Sequence, residues 1–207
     1  MGKMHAEGVT LIELMVAIAV MAIVITLGIP AFADFLAANR MSAAANDVVS
    51  ALHLARSEAL KRQATVTMCA SEDPAADNPD CSAAATPASG WLIFSDDNAN
   101  AAVDGGEIII NAHGPLPLAI AERSAWDNGG DGPPYYAAFA GSGFRQDLPA
   151  TGVRALADLQ LCDARGNRDT GGGIAAGRWI QLSATGRPQI SNRVEQLQGS
   201  DNPLGGC

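Results

Sequence analysis

From Val9 to Ile29 the chain is apolar but for one charged group, the carboxylate of Glu13. At ~1.5 Å per residue, about twenty such residues cross the hydrocarbon core of a bilayer. A segment apolar on every side has no face for water, so it must be covered by lipid or by other helices. Glu13 is then out of place. An ionised acid in a membrane helix costs about 2.5 kcal/mol or more and is normally matched by a partner charge. Cleavage between Gly8 and Val9 would supply one. It creates an amine four residues before Glu13, and in a helical stack one chain's ammonium pairs with its neighbour's carboxylate.

The residues around that point resemble a known signal. Gly8, Thr10-Leu11, Glu13-Leu14, and Pro30 as the twenty-second residue after the cut are similar to the class III signal of type IV pilins and type II secretion pseudopilins. The resemblance implies a membrane-embedded prepilin peptidase that cuts after Gly8 and methylates the new amine of Val9, with Glu13 as the assembly contact. Val9 stands where the family usually has Phe; cleavage depends mainly on the preceding Gly, so processing is expected to survive. An ordinary secretory signal fits worse, because its cleavage would remove the apolar segment, whereas a cut after Gly8 leaves it attached. A plain single-pass anchor explains the apolar run but not the joint match.

Three regions are expected: a leader over 1–8, a transmembrane and filament-core helix over 9–35, and a periplasmic globular domain over 36–207, long enough for one core. Cys69, Cys81, Cys162 and Cys207 lie outside the apolar run and lack the spacing of a zinc site, so disulfides are expected, and with them an oxidising compartment. Four cysteines allow three connectivities. Cys69 and Cys81 enclose a short polar loop, and Cys207 would be able to pin the tail to Cys162.

Helical periodicity extends to about Gln63. Val48, Leu52, Ala55 and Ala59 share one face, with Asn46, Ser50, Arg56 and Arg62 elsewhere, as in an amphipathic helix laid on a sheet. Pro30 predicts a kink or local melting at Gly28-Ile29-Pro30. Short β-prone runs follow: Ala64–Cys69, Trp91–Ser95, Glu107–Asn111, Tyr136–Phe139, Leu159–Cys162, Trp179–Leu182 and Pro188–Ser191. Helix first and strands later predicts an α+β fold. Ser71–Gly90, Ala125–Pro134 and Gly166–Gly177 read as loops, with Gly171-Gly172-Gly173 as flexible linker backbone rather than a phosphate loop.

Further stretches are similar to the GspH/FimT family of minor pilins and pseudopilins: Ala44-Ala45-Asn46-Asp47, Leu54-Ala55-Arg56-Ser57-Glu58-Ala59, Val66-Thr67-Met68-Cys69, Gly90-Trp91-Leu92-Ile93-Phe94, Leu161-Cys162-Asp163-Ala164-Arg165-Gly166 and Ser183-Ala184-Thr185-Gly186-Arg187. The resemblance implies a type IV pilin-like fold, with a long kinked helix packed on antiparallel sheets. It implies a minor type IV pilin held in the inner membrane with a periplasmic domain, then assembled into a pilus with other major and minor pilins. DNA contact during natural transformation is a further implied role. The alternative is a GspH-like minor pseudopilin of a type II secretion system.

The net charge of −9 argues at first against a polyanionic partner. The average hides an asymmetry: residues 69–140 carry eleven acids and one base, Arg123, whereas residues 141–207 carry seven arginines against six acids. FimT-like pilins of competent bacteria have a Gly-Arg-x-Arg element that contributes to DNA binding. Here it reads Gly186-Arg187-Pro188-Gln189, with half the charge. Arg187 keeps the implied role, assisted by Arg178, Arg193 and Arg165 if the fold gathers them; the alternative is a hairpin turn with a solvated arginine.

Asp96, Asn98, Asn100, Asp104 and Glu107 stand at places 1, 3, 5, 9 and 12 of a calcium loop, but Ala101 occupies the turn place that calls for Gly and the flanks are strand-like. A polar turn explains the same residues, so no metal and no cofactor is expected. His5, His53 and His113 form no triad or metal set, and no enzyme is expected. Trp91, Trp126 and Trp179 are candidates for base stacking, with core packing the expected use of Trp91 and Trp179.

Overall fold

A computed structural model describes residues 10–117, 120–125, 136–152 and 154–207; at Leu27, residues 121–125 and Ala150 it describes the backbone alone. Gly8, Val9, Trp126 and the expected loop beyond Ala125 lie outside these residues. The chain divides into two compact units, Met1–Asn39 and Arg40–Cys207. Helix α1, Leu11–Arg62, runs for 52 residues and continues through Pro30, so the helix does not melt there. Pro30 contributes no amide donor to the helical ladder.

In the first unit, the described side chains from Leu11 to Leu36 are exposed, and the helix is long and apolar enough to cross a membrane. The Thr26 hydroxyl donates to Ile23 O at 2.9 Å, which satisfies a polar group inside the apolar segment.

In the second unit, small residues let the helix pack closely. Met41, Ala44, Ala45, Val48, Leu52, Ala55 and Ala59 are buried, as the periodicity predicts. They share one core with residues of two antiparallel sheets. The first sheet contains β1 (Val66–Ala70), β2 (Trp91–Ser95), β3 (Ile109–His113), β5 (Tyr136–Phe139) and β6 (Arg145–Gln146), in the order β3-β2-β1-β5-β6. The second contains β4 (Ala121–Ala125), β7 (Asp158–Cys162), β8 (Ile174–Leu182) and β9 (Pro188–Arg193), in the order β4-β7-β8-β9. Alternation places Val66 and Met68 of β1 in the helix-facing core, with Cys69 in a second cluster that includes Leu92, Phe94, Tyr136 and Leu148. Both faces of β1 and β2 are therefore covered.

Several boundaries differ from the sequence expectation. The strands β2 and β5 match it. The first and third begin two residues later than expected, at Val66 and Ile109. β8 extends back to Ile174, into the stretch read as loop. Ala175 and Ala176 carry too little side chain to announce a strand, and Gly177 is required by close packing: a Cβ there would lie 2.6 Å from Cys207 Sγ and 3.0 Å from Leu161 O. Gly171-Gly172-Gly173 is not linker backbone but a bonded turn. All three have positive φ, at 127°, 64° and 77°. The Asp169 carboxylate accepts the Gly171 and Gly173 amides, and Arg193 Nη1 donates to Gly172 O.

A short helix, α2 (Val194–Leu197), opens the final segment, which covers the outer face of β8. Leu197, Val194 and Leu204 pack with Ala175 and Trp179 there.

Candidate functional site

At the start of α1, Thr10 caps the helix. Its Oγ1 accepts the Glu13 amide at 3.3 Å and its carbonyl accepts the Leu14 amide at 3.1 Å. Glu13 thus occupies the third helical position after a Thr cap, the Thr-x-x-Glu spacing that favours a helix start. Its carboxylate lies in the first turn, where the helix dipole favours negative charge, and its side chain is exposed. Helix initiation and an available charge are compatible in the same residue.

The four arginines grouped in the sequence are not gathered. Arg178 is buried between β8 and α1. It donates to the carbonyls of Ala175, Ala176 and Gly177 and to Ser42 Oγ. Burial, followed by the charge of Arg165, lowers its pKa from the ordinary arginine value. Its donors complete the carbonyls at an irregularity of β8, between Ile174 and Trp179, and leave it no surface role. Arg165 is paired with Asp163 through Nη2–Oδ2 at 2.5 Å and through Nε, with both side chains nearly buried. Arg193 is exposed but stands at the far end of β9, about 20 Å of extended chain from Arg187, and holds Gly172 O.

Arg187 is different. It ends the tight turn joining β8 to β9, in which Ser183 Oγ accepts its amide at 3.1 Å and the Ser183 amide donates to its carbonyl. Its side chain is exposed, and among the described residues the guanidinium has no hydrogen-bond or ion-pair partner. Gly186 is buried with φ of 73°, and a Cβ there would collide with Gly143 O. That contact belongs to a lock of three segments. Arg56 Nε of α1 donates to Gly143 O at 2.9 Å, Leu60 packs on Gly143, and Gly141 lies against the backbone of Gln63. Beside the turn is an open depression lined by Arg145, Asp158, Gln181, Ser183, Arg187 and Gln189. Arg145 had no role in the sequence reading. β6 is two residues long and joins this depression through tertiary structure, which no local pattern announces.

The residues of the calcium candidate satisfy one another. Buried Asp96 accepts the Asn100 and Ala101 amides, each at 3.0 Å, and the Thr67 hydroxyl at 2.7 Å. Asp104 accepts both Asn98 Nδ2 and Asn100 Nδ2, in that order of importance, and these bonds lower its pKa from the ordinary 3.8. Glu107 accepts the Asp97 and Asp104 amides. The carboxylate oxygens point into the turn that they close, and among the described residues no cluster fit for a metal occurs. The polar-turn explanation accounts for the sequence.

Disulfides join Cys69 to Cys81 and Cys162 to Cys207, each with Cα atoms 5.6 Å apart. Trp91 is buried and stacked on His113 with ring centres 4.0 Å apart. Trp179 is buried and donates from Nε1 to Asp158 at 3.0 Å. Neither presents a ring for a base to stack on.

A family model described as type II transport protein GspH matches residues 44–186, and one described as the prokaryotic N-terminal methylation motif matches residues 3–29. No curated protein matches the chain. Among solved structures, the chain is similar to the type IV minor pilin FimU of Pseudomonas aeruginosa strain PAO1 in two crystal forms. One is 20% identical with a TM-score of 0.44, over 74% of this chain and 89% of that one. The other is 18% identical with a TM-score of 0.42, over 72% and 91%. Pilins and pseudopilins are structural rather than enzymatic proteins. With its GspH region spanning more than half its length behind a methylation motif, the chain belongs to the GspH family of minor pilins and pseudopilins.

Proposed function

We propose that the chain is a minor type IV pilin, inserted in the inner membrane, cut after Gly8, methylated on Val9 and assembled into a pilus through its apolar helix. The observation that carries this reading is the exposed apolar surface of α1, most of which lies within the methylation motif. Such a surface needs lipid before assembly and neighbouring helices after it. Residues 1–8 are then the leader, 9–35 the membrane and filament-core segment, and 36–207 the periplasmic domain, where oxidising conditions allow both disulfides. Glu13 supplies the assembly contact by pairing with a neighbouring subunit's amine. The exposed Arg187 supports a contact with DNA phosphate during uptake.

A type II secretion pseudopilin is the second reading, favoured by the description of the matching family. Intact mass of the chain recovered from membranes separates processing from its absence. The expected result is loss of residues 1–8 with a gain of about 14 Da for one methyl group. An uncut chain would overturn both filament readings. Glu13→Ala should leave processing intact yet reduce the chain in sheared filaments by tenfold or more, roughly the effect of 1.4 kcal/mol at each assembly step. Unchanged filament content would remove the charge-pairing argument. Presence in retractile surface pili, rather than in a secretion-dependent filament, decides between the two readings.

A further inference from the structure

The depression beside the β8–β9 turn holds a second cation that the linear motif does not contain. We propose that Arg145 and Arg187 together contact two phosphates of a DNA backbone, Arg145 supplying from β6 the charge that Gln189 lacks in β9. The proposal rests on the DNA-contact reading of Arg187.

Arg145 is fixed before any ligand arrives. Its amide donates to Ala184 O at 3.1 Å, which ties β6 to the turn that presents Arg187. Its Nη1 donates to Leu182 O at 3.1 Å and Leu156 O at 3.3 Å. These bonds hold one edge of the guanidinium, so little rotamer freedom remains to be lost on binding. Among the described residues, Nε and Nη2 have no partner, and the side chain is half-buried at the edge of the depression. Gln181 and Gln189 face each other across β8 and β9 and line the same space, adding neutral donors suited to phosphate oxygens. Asp158, the carboxylate in the lining, accepts Trp179 Nε1.

Two arginines also limit the interaction. A contact that neutralises two phosphates has a slope of log K against log salt of about −2, far shallower than that of a protein with many contacts. The net charge of −9 gives no long-range attraction, so binding is confined to low salt. Arg178 and Arg165 add nothing, being used inside the fold, and Arg193 lies at the opposite end of β9.

The test uses the full chain in an uncharged detergent with a short duplex, between about 50 and 200 mM salt. Arg145→Gln and Arg187→Gln should each weaken binding whatever the sequence and bring the slope from about −2 to about −1, while Gln189→Arg should steepen it to about −3. Because Arg145→Gln removes bonds between the sheets, a second measurement uses the unaltered chain: duplex should protect Arg145 and Arg187, but not Arg193, from phenylglyoxal. If Arg187→Gln weakens binding while Arg145→Gln changes neither affinity nor slope, and Arg145 stays reactive, the DNA reading stands and the proposal is overturned. If neither the unaltered chain nor Gln189→Arg binds at the lowest salt, the DNA reading itself fails. Protection by a peptide copying residues 96–107, with none by duplex, would overturn the proposal in favour of an acidic protein segment.

Discussion

Asp96→Ala should destabilise the globular unit by about 3 to 5 kcal/mol, a large part of the roughly 5 to 15 kcal/mol that holds a domain folded. Three donors lose their acceptor at once: the amides of Asn100 and Ala101 and the hydroxyl of Thr67. Thr67 and Ala101 are buried, so neither finds water without local opening. The bonds also hold Ala99 and Ala101 at positive φ, 56° and 58°, a conformation that costs an L residue roughly 1 to 2 kcal/mol. Without Asp96 the turn has reason to relax, withdrawing Ala101 from the cluster around Phe94 and Tyr136. Thr67→Val, which removes one donor and leaves the other two bonds, should cost less. Urea unfolding of both variants checks this, and a loss below about 1 kcal/mol for Asp96→Ala would mean the turn is held by packing.

The paired change Cys162→Ser with Cys207→Ser should release the final segment while both sheets stay folded. The bridge closes a separation of 45 residues, against 12 for Cys69–Cys81. Loop-closure entropy alone gives about 4 and about 3 kcal/mol for loops of those lengths. The longer bridge also holds a segment with few other anchors. Asn202 is buried and donates to Gln160 Oε1 and Leu197 O, while Leu197 and Leu204 cover Trp179. Hydrogen exchange should rise over residues 194–206, beginning with the amides of Val194 and Gln198, which are bonded to Gly173 O and Val194 O. The change of Cys69 and Cys81 to Ser should leave that region protected. Unchanged exchange in the first variant would show that Leu197 and Asn202 suffice to hold the segment.

What was legible in the sequence was whatever a short window encodes. The apolar run, the buried stripe of α1 and the strands from Trp91 and Tyr136 all announce themselves by periodicity or by dense β-prone residues. The start of β8 did not, because Ala175 and Ala176 carry little side chain and Gly177 is small for a reason supplied by distant partners, Cys207, Leu161 and Leu197. The same cause misled the arginine grouping. Spacing cannot distinguish an arginine that completes backbone carbonyls, as Arg178 does, from one held at the surface, as Arg187 is. Arg145 was hidden because its neighbours in space, Leu182 and Ala184, lie some forty residues along the chain.

The contacts at Gly141, Gly143 and Gly186 carry a consequence for descent. Gly141 and Gly186 leave no room for a methyl group against Gln63 backbone and Gly143 O, and Gly143, at φ of 78°, lies against Leu60. A mutation that lengthens either turn, or adds a side chain at one of these positions, must be accompanied by change at the others. Related chains should therefore keep both turns constant in length and vary them together, while change accumulates at Gly105, where a new Cβ meets nothing within 4 Å.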